Sequence, residues 1–283
     1  METMTTNYLS LTPEEKWEQA TLANNFIFYK VMKNHQDACK LLLEMLLGIK
    51  IESMEMKQEE TIALDYDSKG IRLDVFVKDT GRMFDVELQV ANTKELPERA
   101  RYYQGVMDVD TLKAGQKYKE LRDSHIIFIC LEDVFKNGLP VNTFANICLE
   151  DGKTKFGDRT YKHFFFAPLC AKMIEEKEVK AFFEFLISNQ ASSSYTDELK
   201  NYVADAKQST ENKMQFMTWE RQRAYDLDEG REEGIAIGAQ QKAVEDAERL
   251  LKMNLGTVEQ IAEAVDLTVE QILDIKEKIA VKA

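Results

Sequence analysis

Two acidic residues interrupt otherwise apolar strands that are predicted to lie side by side. Residues 71–90 read IRLDVFVKDTGRMFDVELQV, and their alternation predicts strands at about 71–78 and 83–90 around a tight turn. Asp74 lies within the first strand and Glu87 within the second. Carboxylates at such positions could bind a metal ion or transfer protons, so their relative placement decides the chemistry.

The turn between these strands sets which residues face each other. Gly81 at the second turn position predicts a two-residue hairpin loop. Asp79 then pairs with Arg82, and the same register brings Asp74 opposite Glu87.

Side chains alternate across a strand, so Asp74 is predicted to share one face with Asp85, Glu87 and Gln89, while the apolar residues pack against the core from the other face. Two carboxylates that face each other across a ladder are destabilising unless a proton, an arginine or a metal ion offsets their charge. Mg²⁺ suits such a pair because it takes oxygen ligands. The alternative is a half-exposed sheet whose polar face meets water.

Helices and strands are predicted around this hairpin in a defined order. Apolar spacing predicts helices at about 24–34 and 36–48, the second ending at Gly48, and a strand follows near 60–66. After the hairpin, residues 94–122 are helical in character, with Pro97 at an early position and a break at Gly115.

The next segments complete an α/β plan. Residues 124–135 predict a short buried strand in a covered parallel position, because a continuous apolar run is bounded by polar residues. Residues 143–151 and 159–169 predict a further hairpin, and residues 175–188 an amphipathic helix. This order predicts a mixed sheet flanked by helices.

The C-terminal part is predicted to be almost entirely helical after a polar, Ser-rich linker at 188–197. Gly230, Gly234 and Gly238 are spaced four residues apart, which indicates either a close helix–helix contact or a weak helix.

A short repeat, TVEQI, occurs at 257–261 and again at 268–272. In each copy Thr stands three residues before Gln, the capping-box arrangement that starts a helix. The two short helices form either a hairpin for packing or dimerisation or a helix-turn-helix. Acidic residues on the second helix, such as Glu270 and Glu277, disfavour contact with phosphates.

Composition limits the classes of function. The 283-residue chain has a formal net charge of -13 at pH 7, which disfavours a nucleic-acid partner unless a basic cleft is local. No run of about 18 apolar residues predicts a membrane span, and the first residues lack the pattern of a secretory signal. Four scattered cysteines and three scattered histidines lack zinc-site spacing, which favours reduced thiols and a cytoplasmic location.

Several blocks in the expected order resemble the Rpn family of recombination-promoting nucleases and transposases, within the PD-(D/E)XK nuclease superfamily. The blocks are NNFIFYKVM, RLDV, VELQV, ERARYYQ, KAGQKY and HIIFICLED, and they cover roughly residues 24 to 170. The resemblance implies a restriction-endonuclease-like α/β core with an all-helical C-terminal appendage. It also implies a DNA endonuclease that uses Mg²⁺, or Mn²⁺ in its place.

The resemblance also assigns site residues. Asp74 matches the metal-binding Asp, and Glu87, Leu88 and Gln89 match the (D/E)-x-K triplet, with Gln in place of the usual Lys. The two carboxylates and the carbonyl of Leu88 would hold the metal. Gln89 cannot supply charge but can orient water or phosphate through hydrogen bonds.

Further matches carry supporting roles. Arg99 and Tyr103 match residues on the helix after the catalytic strand, where they could reach a phosphate, brace Glu87 or simply pack. Asn25 stands where the family often has Asp, so it could act only as a neutral ligand and activity could be weakened. Gly115 and Tyr118 match a block that we interpret as structural.

The predicted organisation is an N-terminal extension (1–22), a nuclease-like domain (23–190), a linker with long helices (191–256) and a helical hairpin (257–283). The function predicted is a metal-dependent DNA endonuclease that forms a homodimer through its C-terminal helices. The alternative is a weakly active or inactive nuclease-fold module that binds DNA or protein.

Overall fold

The computed structural model describes residues 11–56, 61–62, 71–72, 75–91 and 94–282. The chain begins with helices α1 (Pro13–Gln19), α2 (Asn25–Asn34) and α3 (Gln36–Leu47). The first strands are β1 (Glu55–Met56), β2 (Thr61–Ile62), β3 (Ile71–Arg72), β4 (Val75–Lys78) and β5 (Arg82–Gln89). Next come helix α4 (Leu96–Thr111), a 3₁₀ turn (Tyr118–Glu120), β6 (Asp123–Cys130), β7 (Val141–Phe144) and β8 (Thr160–Phe166). Helices α5 (Ala167–Met173), α6 (Lys177–Ser188), α7 (Ser194–Gln208), α8 (Thr210–Lys252), α9 (Val258–Val265) and α10 (Val269–Lys282) follow.

The predicted mixed sheet is confirmed. Within the described ranges, six strands pair in the order β1-β4-β5-β6-β8-β7, and β2 pairs with β3 separately. The neighbours β5, β6 and β8 are parallel, whereas β1–β4, β4–β5 and β7–β8 are antiparallel. A parallel connection needs a crossover that covers a face of the sheet. The predicted parallel position of the apolar β6 is therefore confirmed.

The hairpin register is also confirmed over its described pairs. Val75 pairs with Val86 and Phe76 pairs with Asp85. At the turn, the backbone N–H of Asp79 donates to the carbonyl of Arg82 over 2.9 Å.

The polar face of β5 is buried, so the alternative of a water-exposed face is wrong. Helix α4 is the crossover from β5 to β6, and it covers the face that carries Asp85 (0% exposed) and Glu87 (4% exposed). Apolar residues of the sheet and of α4 form a core there: Phe76, Met83, Leu96, Ala100, Val106, Met107, Ile126, Phe128, Cys130 and Phe164. The core therefore lies on both faces of the sheet and includes the face assigned to the acids.

Local signals explain where the helices begin and end. The side chain of Asn24 accepts hydrogen bonds from the backbone N–H groups of Phe26 (3.0 Å) and Ile27 (3.3 Å), which starts α2. Gly48 adopts a left-handed conformation (φ 64°) and ends α3, as predicted. Helix α4 ends at Thr111, earlier than the break predicted at Gly115.

Aromatic contacts hold the first helices against later ones. Trp17 packs against Phe26 and Phe216, with ring centroids 6.3 and 5.2 Å away. The hydroxyl of Tyr195 in α7 donates to the carbonyl of Ala38 in α3 over 2.9 Å. The segment predicted as a linker is thus a short connection from α6 to a helix that packs back on the first helices.

The chain divides into two compact units, Met1–Phe216 and Met217–Ala283. In the second unit, Thr257 and Thr268 cap α9 and α10 in reciprocal pairs with Gln260 and Gln271, so both predicted capping boxes are confirmed. Their shared core contains Ala247, Ile261, Ala262, Ile272 and Ile275.

The three spaced glycines lie within α8. Within the described chain, a Cβ added at any of them would meet no atom within 4 Å. A close helix–helix contact at these glycines is therefore absent from the described residues of this chain.

No described helix is long and apolar enough to cross a membrane. The cysteines at 39, 130, 148 and 170 carry free thiols.

A histidine pair, half-buried at His125 and buried at His163, makes the stability of the fold sensitive to pH. Nδ1 of His125 lies 3.1 Å from Nε2 of His163, and Nδ1 of His163 lies 3.1 Å from Oγ1 of Thr143. Burial lowers the pKa of both imidazoles from 6.5 to about 4. Between these values the unfolded state binds protons that the folded state excludes, so stability is complete above pH 6.5 and falls as the pH drops towards 4.

We expect the free energy of unfolding, measured by urea titration from pH 7 to pH 5, to fall less steeply when both histidines are replaced by Gln. The slope should become shallower by about 2 kcal/mol per pH unit, because two groups are removed. Both proteins contain the same carboxylates, so the difference between their slopes reports the two histidines alone. Equal slopes in the two proteins would contradict the assignment of this pH dependence to the histidine pair.

Candidate active site

Glu87 lies near the C-terminal end of β5, beneath the first turns of α4. Its side chain is 5% exposed, whereas that of its ion-pair partner Arg99 is 30% exposed. Nη2 of Arg99 donates to Oε2 of Glu87 over 2.9 Å. A carboxylate with so little access to water needs such a compensating charge.

Arg99 connects three side chains, those of Glu87, Gln89 and Tyr103, into one hydrogen-bonded group. Its Nη1 donates to Oε1 of Gln89 over 3.0 Å, and its Nη2 also donates to the hydroxyl of Tyr103 over 3.2 Å. Arg99 and Tyr103 stand four residues apart on α4, so both reach the same strand from one helix face. Of the roles predicted for Arg99, the contact with Glu87 agrees with the one in which Arg99 braces this carboxylate.

The electrostatics of this group favour a neutral tyrosine. Burial and then the negative charge of Glu87 raise the pKa of Tyr103 to about 12, against the opposing effect of Arg99. Tyr103 is therefore protonated at neutral pH and cannot act there as a base.

The amide of Gln89 is oriented by two contacts. Its oxygen accepts from Arg99 (3.0 Å), and its nitrogen donates to the backbone carbonyl of Ala91. These contacts fix which end of the amide faces the guanidinium. The second N–H of the amide is the group left to orient water or phosphate.

The carbonyl of Leu88 points towards the β4 side of β5. The carbonyl of Arg82 accepts from Asp79 on that side, while the carbonyl of Gln89 accepts from Leu131 on the β6 side. Successive carbonyls alternate along a strand, so the Leu88 carbonyl has the direction of the Arg82 carbonyl.

Two other residues predicted for the site are Asp74 and Asn25. Asp74 lies outside the described residues. Asn25 is the first residue of α2, whose N-cap is Asn24. Among the described residues, Asn25 is not part of the hydrogen-bonded group around Arg99.

Asp85 is more closely associated with the site than the sequence suggested. It is completely buried, it lies two residues before Glu87 on the same face, and its charge contributes to the raised pKa of Tyr103. Alternation along the strand was the available signal, but it does not reveal burial beneath α4.

The comparison with known families agrees with this fold. Residues 23–252 match the PD-(D/E)XK nuclease family transposases, and the chain belongs to this family. No curated protein and no solved structure matches the chain. Membership confirms the predicted family and supports a function of the nuclease type.

PD-(D/E)XK nucleases generally use divalent metals. Among the described residues, no group of three or more His, Cys, Asp or Glu side chains could hold a metal ion. The described donors near Glu87 are nevertheless carboxylate, amide and carbonyl oxygens, which suit a hard divalent cation. The donor chemistry therefore fits the metals that this family uses.

We expect Arg99→Ala to lower the free energy of unfolding by about 3 kcal/mol, because it removes the charge-assisted bonds to a buried carboxylate. Adding Glu87→Gln should recover part of this loss, because the side chain then carries no charge. Urea titration of both single variants and the double variant measures the coupling, and additive effects would contradict the pairing.

Proposed function

We propose that this protein is a Mg²⁺-dependent DNA endonuclease of the recombination-promoting nuclease and transposase type, with Mn²⁺ as the alternative ion. The observation that carries the proposal is the nearly buried Glu87 on the strand that pairs with β4, hydrogen-bonded to Arg99, which also donates to Gln89. Membership of a nuclease family supports the reaction class.

The metal ligands proposed are Asp74, Glu87 and the carbonyl of Leu88. The pairing of Asp74 with Glu87 is predicted by the sequence, and the described pairs Val75–Val86 and Phe76–Asp85 keep the register on which that prediction was based. The direction of the Leu88 carbonyl, towards the β4 side, supports its inclusion. When bound, the cation supplies a nucleophile at neutral pH and stabilises the charge on the scissile phosphate.

Arg99 is proposed as a positioning residue that offsets the missing Lys of the motif. Gln89 is neutral, so the third motif position supplies no charge. The guanidinium of Arg99 is within hydrogen-bond distance of both Glu87 and Gln89, which keeps a permanent positive charge at this point. Arg99 orients the Glu87 carboxylate, and Gln89 orients water or phosphate through its amide. Asn25 is proposed only as a neutral support from α2.

The wider assignments remain proposals of the same kind. DNA is the proposed substrate, the C-terminal helices are the proposed dimer contact, and the domain boundaries proposed from the sequence are residues 22, 190 and 256. Free cysteines are consistent with a reducing, cytoplasmic location.

A second candidate is a nuclease-fold module that binds DNA or protein without cutting. The observation that favours it is the hydrogen bond from Arg99 to Oε2 of Glu87, because this bond occupies an oxygen that a metal would need.

Calorimetry with Mg²⁺ and Mn²⁺ separates the two candidates. We expect metal binding by the wild-type chain and its loss in Glu87→Ala, because the variant lacks a ligand. Absence of metal binding, even with DNA present, would favour the module.

We expect the purified protein to nick a supercoiled plasmid with Mg²⁺, and Asp74→Ala and Glu87→Ala to lower the rate at least about 100-fold, because each removes a metal ligand. Glu98→Ala is the matched control, since Glu98 is an exposed acid on α4. Wild-type rates in both site variants would reject the proposed site.

A further inference from the structure

Tyr118 is a large aromatic residue that the fold leaves in solvent. It lies in the loop between α4 and β6, at the start of the 3₁₀ turn, and 85% of it is exposed. A side chain this exposed adds almost nothing to packing, so packing does not support the structural role expected for Tyr118. A single exposed apolar residue is common, so its surroundings have to decide whether it has a function.

The loop around Tyr118 has an ordered backbone. Gly115 adopts a positive φ of 88°. Oε1 of Gln116 accepts from the backbone N–H of Lys113 over 2.6 Å, and Oε1 of Glu120 accepts from the backbone N–H of Lys117 over 3.2 Å. These side chains hold the backbone on both sides of Tyr118.

The end of the loop is tied to the sheet. Arg159 donates to the backbone carbonyls of Lys119, over 3.4 Å, and of Leu121. The backbone N–H of Asp123 donates to the carbonyl of Gly81 over 2.9 Å, at the start of β5. Tyr118 is therefore presented from a loop fixed at several points, which lowers the entropy cost of a contact made through it.

The charge of the loop is opposite to that of the whole chain. Residues 113–119 contain three lysines and no acid, although the chain has a net charge of -13. Lys117 and Lys119 flank Tyr118 and are exposed. Within the described residues, neither of their ammonium groups forms an ion pair. An exposed aromatic ring between two such lysines combines a stacking surface with phosphate-binding charge.

We propose that this loop is a DNA contact, in which Tyr118 stacks on an unpaired base while Lys117 and Lys119 bind the adjoining phosphates. The proposal rests on the proposed function, because it takes DNA as the substrate. It adds that the protein prefers DNA with a single-stranded segment, since only an unstacked base offers its face to a tyrosine.

The loop lies at the opposite end of β5 from Glu87. Gly81 and Glu87 are six residues apart, or roughly 20 Å along a strand. About six phosphates of one DNA strand span that distance. The loop would therefore bind DNA several nucleotides from the bond that is cut.

Fluorescence anisotropy with the full chain tests the contact, using a labelled single-stranded DNA oligonucleotide and its blunt duplex in EDTA to prevent metal-dependent cutting. Tyr118→Ala should bind the single strand about tenfold more weakly, whereas Tyr118→Phe should bind like the wild type because it keeps the ring. The double variant Lys117→Ala/Lys119→Ala should lower the salt dependence of single-strand binding by about 1.4 in slope.

Tyr225→Ala is the matched control, since Tyr225 is also exposed (71%) but is followed by acidic residues in α8. It should bind like the wild type. Unchanged single-strand affinity in Tyr118→Ala, or an equal loss in Tyr225→Ala, would overturn the proposal. It would also be overturned if Tyr118→Ala changed only the sedimentation mass, because the loop would then be a contact between copies.

Plasmid nicking separates this inference from the proposed function. If Glu87→Ala abolishes nicking while Tyr118→Ala binds DNA normally, the proposed catalytic site is supported and the proposed loop contact is rejected. If Tyr118→Ala loses single-strand binding while Glu87→Ala nicks like the wild type, the proposed loop contact is supported and the proposed catalytic site is rejected.

Discussion

The ion pair between buried Glu87 and Arg99 is the interaction on which the rest of the site depends. A carboxylate beneath a helix loses its hydration, and the contact from Arg99 returns part of that energy. Arg99 can make the contact because α4 starts a few residues after β5 and runs back across it. The crossover that the parallel strands β5 and β6 require therefore also supplies the residue that holds the acid.

Helix α4 connects two features that are distant in the fold. Its first turns hold Glu87 and Gln89 through Arg99, and its end leads into the basic loop that presents Tyr118. A substrate that reached both would lie along β5 beside this helix. The two features differ in exposure and in residue type: the first is a buried polar group, and the second is an exposed aromatic residue between lysines.

An acidic protein can act on DNA if its positive charge is local. The chain has 50 acidic and 37 basic residues, so its long-range field repels a polyanion. Lysines concentrated in the loop at 113–119 and Arg99 beside the acids of β5 act over short distances, within which screening by salt is weaker. Such a balance disfavours binding to DNA at random.

The amino-acid sequence by itself determined the hairpin register, the helix caps, the mixed sheet and the family, because turn residues, capping pairs and alternation act between near neighbours. It also placed Asp85, Glu87 and Gln89 on one face of β5. Only the tertiary structure decided that α4 buries this face, that Arg99 binds Glu87 and that Tyr118 stays in solvent. Burial depends on which distant segment covers a residue, and a local pattern contains no information about that.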